Sequence, residues 1–160
     1  MPLILTLVFV LREGQVLLGL KKRGFGQGLW NGFGGKVNLA DGETIIQGAV
    51  RELQEESGLI GNNLEKVAIL NFQFEKDMGK YTDLEIHVFK TSTFEGEIIE
   101  SEEMLPKWYN ISDIPYKEMW PDDAIWYPVM FAGKLFTADI KFSDEKTMIS
   151  HKITEVLSFE

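Results

Sequence analysis

Glu52, Glu55 and Glu56 stand at spacings i, i+3 and i+4. On a helix turning about 100° per residue, these three carboxylates crowd one face. Like charges so placed repel, costing a few tenths of a kcal/mol per pair, roughly, in an isolated helix. A cation would relieve that cost. Hard oxygen donors on a helix suit Mg²⁺ or Mn²⁺, which take carboxylates together with substrate phosphates and retained water. Taken alone, the triplet is equally an acidic face open to solvent, with Arg51 paired to Glu55 one turn on.

The element that must position these groups is the stretch Glu43 to Leu59, ETIIQGAVRELQEESGL. Thr44 can cap its start, Ala49, Val50 and Leu53 give it an apolar stripe, and Gly58 ends the helix after Ser57.

The chain has 160 residues, 44% hydrophobic and 26% charged, enough for one domain, 1–160, with a sizeable core. A net charge of −9 argues against nucleic acid or an anionic membrane as partner. A nucleotide remains open to an acidic protein if metal neutralises its phosphates. With no cysteine in the chain, neither disulfides nor thiol chemistry enters. Met1 to Leu11 is apolar but has no basic flank or cleavage site and is too short to span a bilayer, so it reads as a buried strand. The cytoplasm is the default compartment, with a mitochondrial or nuclear fraction open, and a monomer suffices.

Leu3 to Val10 and Gln15 to Lys21 are β-rich runs joined by a Glu13–Gly14 turn. Lys21, Lys22 and Arg23 lead into a stretch to Lys36 with six glycines, where the backbone must turn tightly or lie close to something. It lacks the phosphate-loop pattern GxxxxGK[ST]. Val67 to Phe74 and Leu84 to Thr93 alternate as strands, paired across the polar stretch Glu75 to Asp83. Glu95 to Met104 is an acidic loop and Lys107 to Ile111 a short strand. Met119-Trp120-Pro121-Asp122-Asp123 opens a second helix running to Phe131, with either aspartate as a cap and Gly133 beyond its end. Lys134 to Phe142 and Thr147 to Leu157 are final strands. The class is α/β, with a mixed sheet and at least two helices.

From Glu43 the text runs seven residues, then Arg-Glu-Leu-x-Glu-Glu-x-Gly-Leu, which resembles the Nudix box at every specified position. The opening half departs: seven residues, rather than five, separate Gly35 from Glu43. The extra length falls in a turn-rich loop (Asn38, Asp41, Gly42), where it costs little. Gly19 to Gly26 (GLKKRGFG), Trp30 to Val37 (WNGFGGKV) and Met119 to Asp123 (MWPDD) look like one branch of that family. That branch is the animal MutT homologues, which hydrolyse 8-oxo-dGTP and 2-hydroxy-dATP.

The resemblance implies an α/β/α sandwich around a central mixed sheet. It also implies hydrolysis of an oxidised purine nucleoside triphosphate to monophosphate and pyrophosphate, with Mg²⁺ as cofactor (Mn²⁺ as substitute). It makes Glu52, Glu55, Glu56 and Glu103 metal and catalytic residues, with the carbonyl of Gly35, or its neighbour, as a further ligand. Glu52, Glu56 and Glu103 are each open as the base that holds the water. Arg51 orients the glutamates, Glu43 braces loop and helix, and Lys21 lies near the nucleotide. Trp120 can stack on a purine while Asp122 and Asp123 exchange hydrogen bonds with its edge, one of them protonated so that the pair both donates and accepts. Asn31 offers an amide to the base. By family position Thr6, Phe25, Phe72, Phe74 and Met104 line the pocket. Leu84 stands where the family often has methionine, and the insertions near Asn38 to Asp41 and Lys76 to Thr82 fall at the rim. Two other readings stay open: a Nudix hydrolase of another nucleoside diphosphate derivative, such as a dinucleoside polyphosphate, and a binding module that senses nucleotides without catalysis.

Overall fold

The computed structural model describes residues 1–75, 82–144 and 146–159. In chain order the elements are β1 (Leu3–Arg12), β2 (Gln15–Lys21), β3 (Trp30–Asn31), α1 (Ile45–Ser57), β4 (Ile60–Asn62), β5 (Glu65–Phe74) and β6 (Asp83–Thr91). They continue with β7 (Thr93–Glu95), β8 (Met104–Asn110), α2 (Asp123–Phe131), β9 (Leu135–Asp144) and β10 (Thr147–Val156). The main sheet runs β10-β9-β5-β6-β1-β2-β3, with β8 also paired to β2. Strands β1 and β6, and β5 and β9, are parallel; β1 and β2, β5 and β6, β9 and β10 and β2 and β8 are antiparallel. β4 and β7 form a separate small ribbon.

Alternation along the strands builds two cores, one on each face of the sheet. Leu7 and Phe9 of β1 and Val16 and Leu18 of β2 point into the larger core, with Trp126, Tyr127 and Met130 of α2. Val8 and Val10 of β1 and Leu17 of β2 point the other way, against Ala49 and Leu53 of α1. The mixed sheet is thus covered by α1 on one face and α2 on the other.

Thr44 caps α1 as expected, in a full capping box: its side chain accepts from Gln47 N–H while Gln47 accepts from Thr44 N–H. Gly58 takes a left-handed φ of 85° and ends the helix. The second helix departs from expectation at its start. Asp122 holds the N-cap position of α2 but makes no capping bond, because its carboxylate instead accepts from the Trp126 indole at 2.6 Å. The short β3, β4 and β7 were not foreseen, being two or three residues long and without periodicity. Residues 76–81, most of the expected insertion at the pocket rim, lie outside the described residues. Among the described residues no helix is long and apolar enough to cross a membrane.

Candidate active site

Strands β1 and β2 pair only near their joining turn, over Val10–Leu17 to Arg12–Gln15. Beyond it they part, and residues 33–36 enter the gap: Phe33 exchanges backbone hydrogen bonds with Val8, and Thr6 N–H donates to the Gly35 carbonyl at 2.9 Å. The packing here requires glycine. A Cβ on Gly34 would overlap the Thr6 carbonyl, and one on Gly35 would lie 2.7 Å from the Glu52 carboxyl. This bare backbone lets the α1 carboxylates Glu52 and Glu56 approach the sheet.

Glu56 is buried on α1 and accepts from Gly34 N–H at 3.0 Å, with the Lys21 ammonium 3.8 Å away. Burial pushes its acid up to about 7, against the pull of Lys21 and the Gly34 N–H, while Glu52 and Glu103 push further upward. Burial also raises Glu52, which accepts from Arg51 at 3.0 Å. Glu55 is mostly exposed and held by the same guanidinium nitrogen. Arg51 also forks onto Glu43 at 2.7 and 3.0 Å and donates to the Lys36 carbonyl. The Arg51 bonds hold the Glu43 acid down at about 2. Glu103 reaches across from the loop before β8 to Lys21 at 3.8 Å and Arg23 at 3.3 Å.

Among the described residues no three acidic or histidine side chains already converge as a metal cage. Their chemistry nonetheless fits a hard divalent cation. The donors are all oxygens, the Glu103 charge adds to burial in raising both Glu52 and Glu56, and the buried Glu56 has the Lys21 ammonium 3.8 Å away. The Gly35 carbonyl, expected as a ligand, faces β1 and already serves Thr6 N–H and Oγ1 (3.4 Å).

From Glu56 and Glu103 a cavity of about 500 Å³ runs to Trp120, Asp122 and Asp123. Thr6, Lys21, Phe25, Asn31 and Phe72 line it as expected, with Leu84 and the unforeseen Arg23 and Trp126. Two expected residues stand elsewhere. Phe74 lies behind the wall, stacked on Phe142 at 5.1 Å and edge-on to Phe25 and Trp120. Met104 belongs to the opposite core, against Gly19 and Phe33, because its parity on β8 sends it to the α1 face. The basic run Lys21-Lys22-Arg23 is the signal that marks Arg23, whereas nothing in the order of residues marks Trp126.

The polar end of the cavity is unusual in its protonation. Asp122 and Asp123 are only 1% and 2% exposed, and Asp122 Oδ1 and Asp123 Oδ2 have no hydrogen-bond partner among the described residues. Burial raises Asp122 to about 6 and, with the charge of Asp122 beside it, raises Asp123 well above the usual carboxylate range. Asn31 sits opposite, its Oδ1 accepting from Gly32 N–H at 2.9 Å and Tyr127 hydroxyl at 3.1 Å. Aromatic walls, two orphaned carboxylate oxygens and an amide can hold a flat base with polar edges.

The mixed sheet between two helices, with carboxylates of one helix set against a bare glycine segment, is a scaffold whose oxygen donors suit hydrolysis assisted by a divalent cation. Residues 2–130 match the NUDIX domain, and the chain belongs to that family. Nudix hydrolases in general use divalent metal ions. Over 153 residues the chain is 48% identical to the oxidized purine nucleoside triphosphate hydrolase of Danio rerio, covering 96% of this chain and 95% of that protein. It is 47% identical to the protein of the same name from Mus musculus, covering 96% of each. The mutator MutT protein of Bacillus halodurans has a similar structure, with a TM-score of 0.80 at 27% identity over 94% of this chain and 97% of that one.

Proposed function

We propose that this protein hydrolyses oxidised purine nucleoside triphosphates, such as 8-oxo-dGTP and 2-hydroxy-dATP, to the monophosphate and pyrophosphate, removing mutagenic precursors from the nucleotide pool. The observation that carries this reading is the single cavity linking the Asp122–Asp123 pair to Glu56 and Glu103. A purine lying against Trp120 and Phe72 on the cavity wall would direct its phosphates toward the glutamates. The names of the zebrafish and mouse relatives support the same substrate class.

Glu52, Glu55, Glu56 and Glu103 would hold Mg²⁺, or Mn²⁺ in its place. Gly34 would supply the backbone carbonyl, since those of Gly35 and Lys36 already serve Thr6 and Arg51. The cation, when bound, supplies positive charge against the phosphate oxygens. Lys21 adds a second positive charge between Glu56 and Glu103. Glu52, Glu56 or Glu103 takes the proton of the attacking water. Arg51 holds Glu52 and Glu55 in place without touching substrate. At the base, Asp123 keeps its proton and donates while Asp122 accepts, so one pocket serves oxidised guanine and oxidised adenine. The working unit is one domain and a monomer, placed in the cytoplasm with a mitochondrial or nuclear share, where nucleoside triphosphates feed DNA synthesis.

The test is pyrophosphate release with Mg²⁺ from 8-oxo-dGTP, 2-hydroxy-dATP, dGTP and a dinucleoside polyphosphate, beside Glu56→Gln. Preference for the oxidised triphosphates, lost in the variant, is expected. Turnover of the dinucleotide alone would sink the base-pocket assignment.

A further inference from the structure

Tyr127 is fully buried on α2, packed edge-on against Phe9 at 5.1 Å and Trp126 at 4.6 Å. A hydroxyl brought into such a core is costly unless it finds a partner. Its partner is Asn31 Oδ1 at 3.1 Å, on the cavity wall, although 96 positions separate the two residues. The orientation of the Asn31 amide follows from a second donor. Gly32 N–H points at the same Asn31 atom at 2.9 Å, and a backbone N–H can be satisfied only by an acceptor. That atom is the amide oxygen Oδ1, which accepts from both Gly32 N–H and the Tyr127 hydroxyl. With both lone pairs of that oxygen used, Asn31 has only its two N–H bonds to show the cavity.

We propose that Tyr127 is a positioning residue for base selectivity: through its hydrogen bond it locks the Asn31 amide so that the pocket presents a donor, and only a donor, at that edge. The ligand edge it selects carries an acceptor, a ring nitrogen or an exocyclic oxygen of the purine. Tyr127 itself touches no substrate. This rests on the reading of the cavity as a purine pocket. It goes further by fixing the polarity of one reader and by assigning a role to a residue behind the wall.

The test is a double-mutant cycle on nucleotide binding, measured by titration calorimetry of 8-oxo-dGMP and dGMP into the full chain without metal. Tyr127→Phe keeps the ring and its packing. It is expected to weaken 8-oxo-dGMP binding about threefold to tenfold, the worth of one ordinary hydrogen bond. Asn31→Ala should weaken it at least as much, and adding Tyr127→Phe to Asn31→Ala should then change nothing further. Additive losses would overturn the inference, since a merely structural tyrosine acts whether or not Asn31 is present. So would a Tyr127→Phe protein that binds like wild type. Failure of the purine-pocket reading looks different: wild type would bind 8-oxo-dGMP no better than dGMP, and the inference would fall with it. A second readout is the Asn31 side-chain amide resonance in ¹⁵N-resolved NMR. It should shift with 8-oxo-dGMP in wild type and be broadened in Tyr127→Phe; identical amide signals in both proteins would count against the lock.

Discussion

Asp123 shows how much a single position can hold in reserve. Its carboxyl is buried, one oxygen has no partner, and the neighbouring Asp122 makes a second charge costlier still. Burial favours the protonated acid in the folded state, whereas the unfolded chain titrates near 3.8. The stability it contributes is present in full below that value and is lost as pH rises through the folded pKa; for Asp122 that window runs from 3.8 to about 6. Asp123→Asn removes this penalty while keeping shape. Its melting temperature relative to wild type should therefore rise between pH 5 and pH 8, as thermal unfolding at the two values would reveal. A constant difference would mean that the acid is already paired. Arg51 is the opposite case, a charge fully used: its bonds to Glu43, Glu52 and Glu55 set one positive group among three carboxylates and offset their repulsion.

Helix α1 owes its placement to its ends as much as to its apolar stripe. The Thr44–Gln47 capping box satisfies N–H groups that would otherwise be orphaned, and Gly58 turns the chain away toward β4. Thr44→Ala should cost about 1 kcal/mol in urea-induced unfolding. An unchanged midpoint would show that tertiary packing alone sets where the helix begins. On the opposite face, α2 begins without a side-chain cap because Asp122 serves the Trp126 indole instead. A cap rule favours an aspartate there; the indole one turn on, at i+4, wins because a buried indole N–H must also be satisfied. The segment 33–36, too short to read as a strand, is what brings Gly34 to Glu56, and only its pairing with β1 makes that contact.

At the scale of the molecule, α1 packs on one core and brings Glu56 to the cavity that also holds Glu103, Trp120, Asp122 and Asp123, so the proposed metal and base sites share one opening. A cation bound only by the folded arrangement must stabilise it, by about 2.7 kcal/mol at a hundredfold excess over Kd. Mg²⁺ should raise the melting temperature of the wild type in a chelator-reversible way, and Glu52→Gln should blunt the rise. An equal rise in the variant would remove Glu52 from the metal site. Much of this protein is already written in the order of its residues. The period of the apolar positions set the long strands and α1, and the spacing of Glu52, Glu55 and Glu56 set the acidic face, because these depend on neighbours a turn or less away. The match to the Nudix box and the flanking GLKKRGFG, WNGFGGKV and MWPDD segments placed the chain in its family. Only the tertiary structure decided that Met104 turns from the pocket, that the Gly35 carbonyl is spent on Thr6, and that Tyr127 reaches Asn31. Those facts depend on strand parity and on contacts between residues distant in the chain, which local periodicity does not encode.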